Sequence, residues 1–92
     1  MPYTYMLRCN DGTYYTGWTT DVQKRLDTHN KGKGAKYTCS RLPVELVYCE
    51  WQENRSLAQK REAYIRKLAR GKKEEMIKEF QKSHNEISFM EK

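Results

Sequence analysis

Five residues have types and spacing that can do chemistry together: Tyr5, Tyr15, Arg25, His29 and Glu62. Arg25 and His29 stand four apart, so they stack on one face of a helix. Glu62 shares a helical stripe with Ala58, Ile65 and Ala69, and a carboxylate among such small and apolar neighbours is unusual for a solvated face. Two phenols, a guanidinium, an imidazole and one carboxylate suit phosphodiester chemistry. A phosphoryl centre gathers negative charge in its transition state, which arginine stabilises. Attack by water needs a base, and departure of the 3′ oxygen needs an acid or a metal. One carboxylate is too little for a two-metal clamp but enough for one Mg²⁺ that keeps its waters and phosphate oxygens. Each residue also has a plain structural role available: strand packing for the tyrosines, a solvated charge for Arg25, a surface histidine for His29. For Glu62 the plain role is an ion pair with Arg61, Arg66 or Lys67.

These residues must be carried by a small set of elements. "YTYMLR" (Tyr3 to Arg8) reads as a strand, "CNDG" as a turn and "TYYTGW" as the returning strand. Side chains alternate along strands, so the hairpin loop decides whether Tyr5 and Tyr15 share a face. A two-residue loop separates them, and an odd-length loop with Gly12 in a bulge brings them together. Thr20 and Gln23 form a potential capping box, and Asp21 is another candidate cap, for a helix from about Asp21 to about Asn30. Lys31 to Thr38 reads as a mobile basic loop. "PVELVYCEW" (Pro43 to Trp51) is a third strand, expected beside the first. Ser56 with Gln59 is a second potential capping box, for a helix ending at Gly71. "KKEEMIKEFQK" gives a last short helix with Met76, Ile77 and Phe80 inward. The order β-β-α-β-α-α is that of an α+β fold, with a small three-stranded sheet flanked by helices.

The bulk properties agree. Ninety-two residues make one domain, placed at residues 1–82, with residues 83–92 expected to fray. Eighteen Lys and Arg against twelve Asp and Glu leave a net charge of +6, which favours anionic partners or simply solubility. Lys31, Lys33 and Lys36 are candidate phosphate contacts, or an ordinary solvated turn. Tyr37 and Trp18 are candidate base-stacking residues, or packing. Three cysteines, Cys9, Cys39 and Cys49, with no C-x-x-C pair, argue against a disulfide framework or a structural zinc site. With no apolar leader or membrane-length run, the expectation is a reduced, cytoplasmic protein.

The pattern resembles the GIY-YIG endonuclease superfamily, and more closely its small stand-alone bacterial members of the YhbQ type. The resemblance covers about residues 3 to 75. Its half-motifs fall on "YTY" (Tyr3–Tyr5) and "YTG" (Tyr15–Gly17), its R-x-x-x-H on Arg25 and His29, and its metal-binding glutamate on Glu62. "GKGAKYT" and "RLPVELVY" look like the stand-alone subgroup. Tyr3 stands where the family name has Gly, Thr16 where it has Ile, and Trp18 where some members have lysine.

The resemblance implies a three-stranded antiparallel sheet with helices and hydrolysis of DNA phosphodiester bonds with one Mg²⁺ or Mn²⁺. It implies that Tyr5 and Tyr15 position or deprotonate the water, Arg25 stabilises the transition state, His29 orients or shuttles a proton, and Glu62 holds the metal. A role in repair or in processing branched or damaged DNA would follow, with a protein partner supplying specificity and a monomer or transient dimer as the working form. Two other functions compete: a non-catalytic nucleic-acid-binding module that keeps the fold, and a protein-interaction domain.

Overall fold

The computed structural model describes residues 2–91, with side chains through Ser83. Three strands, β1 (Tyr3–Arg8), β2 (Tyr14–Thr19) and β3 (Glu45–Trp51), form one antiparallel sheet in the order β2-β1-β3. Helices α1 (Val22–Asn30) and α2 (Lys36–Cys39) separate β2 from β3, and α3 (Arg55–Arg66) and α4 (Arg70–Glu91) follow β3. The third strand lies beside the first, and β2 is left at an edge, as the sequence predicts.

The hairpin settles the question of faces. Cys9 N–H donates to the Thr13 carbonyl at 2.8 Å, and Gly12 closes the loop at φ 84°. Tyr5 therefore pairs directly with Gly17 and Leu7 with Tyr15, which puts Tyr5 and Tyr15 on the same face.

The sheet separates two cores. On one face Tyr5, Leu7, Cys9 and Val44 pack with Tyr15 and with Leu26 of α1. On the other, Met6 and Val47 pack against Ile65 of α3 and Ile77 of α4. The first face carries the α1 and α2 layer; the second carries α3 and α4.

Several local expectations shift. The cap of α1 is Asp21, whose side chain accepts from Lys24 N–H at 3.0 Å, so the Thr20–Gln23 box is not formed. The cap of α3 is Asn54, accepting from Leu57 N–H at 2.9 Å, in place of Ser56. That helix stops at Arg66, and Gly71 lies in the first turn of α4 instead of ending α3. The stretch expected as a mobile loop, Lys31 to Thr38, contains the start of α2, and Thr38 is fully buried. Helix α4 extends well past Lys82, and the fraying expected of 83–92 falls almost wholly beyond the described side chains.

The segment between α1 and β3 is pinned at both ends. The Asn30 side chain accepts from Val44 N–H at 2.8 Å and donates to the Val44 carbonyl at 3.1 Å. One amide side chain thus does the work of a neighbouring strand at the approach to β3.

Candidate active site

Tyr5, Tyr15 and His29 converge above the α1 face of the sheet. The ring centroids of Tyr15 and His29 are 5.3 Å apart, and those of Tyr5 and Tyr15 are 6.4 Å apart. His29 comes from the last turn of α1 and is fully buried, as Tyr5 is within 2 %.

A chain of hydrogen bonds fixes the imidazole. The Thr38 hydroxyl donates to the Ala35 carbonyl at 2.9 Å, so its oxygen accepts from His29 Nδ1–H at 2.8 Å. Nε2 is therefore the bare nitrogen, and it accepts from the Tyr5 hydroxyl at 3.0 Å. Burial, and after it the Arg25 charge, hold His29 down at about 4, so the ring is neutral at neutral pH. Burial likewise pushes Tyr5 up to about 12, against the hydrogen-bonding influence of Arg25; the charges of Tyr15 and Glu62 add to the rise. The pair is a neutral phenol donating to a neutral imidazole.

Two glycines give this pair its room. A Cβ on Gly17 would lie 2.6 Å from the Tyr5 hydroxyl oxygen, and one on Gly34 would lie 2.3 Å from His29 Nδ1. Gly17 sits opposite Tyr5 in the β-ladder, so the phenol folds across the space where a side chain would stand.

Arg25 bears on the Tyr5 hydroxyl, and among the described residues no carboxylate forms an ion pair with it. Its guanidinium is available to an incoming anion. Glu62 reaches the site from α3, on the opposite layer, and its charge is felt at Tyr5. Its Oε1 is bonded by the Arg66 guanidinium, the ion-pair alternative open at the level of sequence. Oε2 has no hydrogen-bond partner among the described residues. No group of three or more His, Cys, Asp or Glu side chains converges anywhere among those residues. A divalent ion here would rest on Glu62 and fill its shell with water and phosphate oxygens. That donor set is all oxygen, which suits a hard cation.

The candidate nucleic-acid contacts divide. Tyr37 stacks on Tyr15 at 6.1 Å between centroids, and the Arg41 guanidinium lies over the Tyr37 ring, 3.9 Å from its centroid. Arg41 is held in turn by Asp11 at 3.0 Å. Lys31, Lys33 and Lys36 are exposed around the same segment, and among the described residues their side chains form no ion pair. Trp18 is half-buried on β2, facing away from the tyrosine pair.

Thr38 is the residue whose part in this site sequence reasoning missed. It sits among lysines with no hydrophobic period, and the signal pointing to it is Gly34, which admits the loop to within contact of His29.

The GIY-YIG catalytic domain model matches residues 1–75, the span containing all five residues. A UPF0213 protein of Clostridium perfringens is 53 % identical over 77 residues, covering 84 % of this chain and 83 % of the relative. A UPF0213 protein of Halobacterium salinarum is 50 % identical over 77 residues, covering 84 % of this chain and all of the relative's length, 100 %. Solution NMR structures of a UPF0213 protein from Bacillus halodurans and of a protein from E. faecalis superpose with TM-scores of 0.54 and 0.56 at 43 % and 47 % identity. They cover 85 % and 86 % of this chain, and in each case 84 % of the other. The half-motifs on β1 and β2, the Arg25–His29 helix and the matched span together place this chain in the GIY-YIG catalytic domain family, alongside the small UPF0213 proteins.

Proposed function

We propose that the protein is an endonuclease that hydrolyses DNA phosphodiester bonds with one Mg²⁺ or Mn²⁺, acting in repair or in the processing of branched DNA. The observation that carries this reading is the Tyr5 hydroxyl, which donates to a bare His29 Nε2 at 3.0 Å beside an arginine with no carboxylate partner. A phenol whose hydrogen is committed to an acceptor turns its oxygen lone pairs toward the site, where they can accept from and orient the attacking water. His29 orients the phenol through that bond, and Thr38 holds its other nitrogen protonated. Tyr15, edge-on to the imidazole, lines the approach to it. Arg25 stabilises the charge that builds on the phosphoryl oxygens.

Glu62 would hold the metal, which when bound supplies Lewis-acid stabilisation of the phosphoryl group and of the departing 3′ oxygen. Lys31, Lys33 and Lys36 would contact flanking phosphates. A protein partner would supply specificity, because a domain of this size offers little surface for reading DNA.

The test is cleavage of supercoiled and branched DNA with Mg²⁺ or Mn²⁺, using the wild-type protein with Arg25→Ala and Glu62→Ala. Activity that needs the metal and falls about 100-fold or more in Arg25→Ala supports the reading. Salt-sensitive binding without cleavage in the wild type overturns it in favour of a binding module.

A further inference from the structure

A second concavity lies along the free edge of the sheet. It has a volume of about 350 Å³ and is lined by Tyr14, Tyr15, Thr16, Tyr37, Arg66 and Lys73. That is near the lower end of small-molecule sites, roughly 300–1,000 Å³. It has room for one nucleotide and none for a duplex. Tyr15 is a wall shared with the catalytic cluster, so the two spaces adjoin.

Three observations say what the cleft would take. First, its polar floor is unpaired. Thr16 is 4 % exposed, and among the described residues its Oγ1 has no hydrogen-bond partner. The ladder continues from the Cys9–Thr13 bond, so the backbone N–H and C=O of Thr16 point to the open edge. Among the described residues its carbonyl meets only an Arg66 Nη2 contact of 3.4 Å. A hydroxyl, an N–H and a C=O on one residue match the mixed donors and acceptors of a nucleobase edge. Second, the walls are aromatic: Tyr37 is 39 % exposed, and Tyr14 is backed by the Arg70 guanidinium at 4.8 Å. Third, the rim is cationic. Among the described residues Lys73 has no ion pair, and Glu62 is the one carboxylate paired with Arg66.

We infer that this cleft is a nucleotide subsite, in which Thr16 and the tyrosines hold a base while Lys73 and Arg66 bind its phosphate. It rests on the nuclease reading for its natural occupant, a nucleotide flanking the bond to be cut. A phosphate drawn to Arg66 competes with Glu62 for the same guanidinium. Filling the cleft therefore frees the carboxylate of the neighbouring site.

The experiment is an NMR titration with thymidine 5′-monophosphate, thymidine and inorganic phosphate, all in EDTA so that neither metal nor cleavage enters. The monophosphate should saturate with amide shifts at residues 14–18, at Tyr37 and at Lys73, and should move the Glu62 carboxyl carbon. Thymidine and phosphate should each bind at least tenfold more weakly. Lys73→Ala should weaken the monophosphate about tenfold, and Thr16→Val about fivefold. Arg25→Ala should leave it unchanged. Equal binding of inorganic phosphate, shifts confined to Arg25 and His29, or indifference to both Lys73→Ala and Thr16→Val would overturn the inference. Because no bond is cut, such a failure leaves the nuclease assay to stand or fall separately.

Discussion

Acid should destabilise this domain through a single imidazole. In the unfolded chain His29 titrates near its ordinary 6.5, whereas in the folded protein burial and the Arg25 charge hold it at about 4. Between those two values the unfolded state takes up a proton that the folded state refuses. Stability is therefore fully present above about pH 6.5, falls as the pH drops through the window, and levels off below about pH 4. At 1.36 kcal/mol per pKa unit the loss amounts to about 3 kcal/mol, against a total of roughly 5–15 for a domain of this kind. The measurement is urea unfolding from about pH 7 to about pH 4 for the wild type and for His29→Gln, which keeps a donor and an acceptor in the cavity. His84 is present in both proteins, so the difference between their pH slopes belongs to His29. Hydrogen bonds from Thr13 lower the Asp11 carboxyl, which acts below its ordinary 3.8, beneath the window and equally in both. The wild type should lose about 3 kcal/mol more than the variant over this range. Parallel slopes, or an NMR titration midpoint for His29 at its ordinary value, would refute the account of a desolvated neutral ring.

Three other outcomes follow from the packing. Thr38→Val should strand the His29 Nδ1–H in the core at a cost of about 1–3 kcal/mol, and ¹⁵N shifts of the ring should show the Nε2–H tautomer gaining population. Gly34→Ala should cost about 1–3 kcal/mol in chemical denaturation, because the added methyl meets both the ring and the Cα of His29. Gly17→Ala should turn the Tyr5 hydroxyl away from His29. Cleavage should fall about 100-fold at most modest cost in stability, as measured by single-turnover kinetics beside a thermal melt.

Much of this architecture was legible in the sequence because it rests on alternation and turn chemistry. Asn10, Asp11 and Gly12 allow a loop of either parity in the sequence, and the odd-length one the chain adopts is what puts Tyr5 and Tyr15 together. The four-residue spacing of Arg25 and His29 places both toward Tyr5. Helix starts were harder. Thr20 and Asp21 are both competent caps, as are Asn54 and Ser56, and only the incoming direction of the chain decides which oxygen meets the free N–H groups. Gly71 misled because glycine as a stop signal presumes a left-handed residue, and here it continues into α4. The burial of Thr38 and the cleft beside Thr16 depend on which surfaces meet across α2 and the β2 edge. No local pattern in one chain encodes that.

The Asn30 clasp on Val44 has a consequence for how this protein can change. It ties off residues 31–43 as a closed excursion whose two ends are held independently of what lies between. Lengthening such an excursion costs little, about 0.6 kcal/mol for each doubling. Residues grafted after Arg41, beyond its bonds to Tyr37 and Thr38, would leave the Gly34–Thr38 step against His29 in place. The clasp makes this stretch a cassette into which new length can be spliced while the Tyr5–His29–Thr38 chain of hydrogen bonds behind it stays fixed.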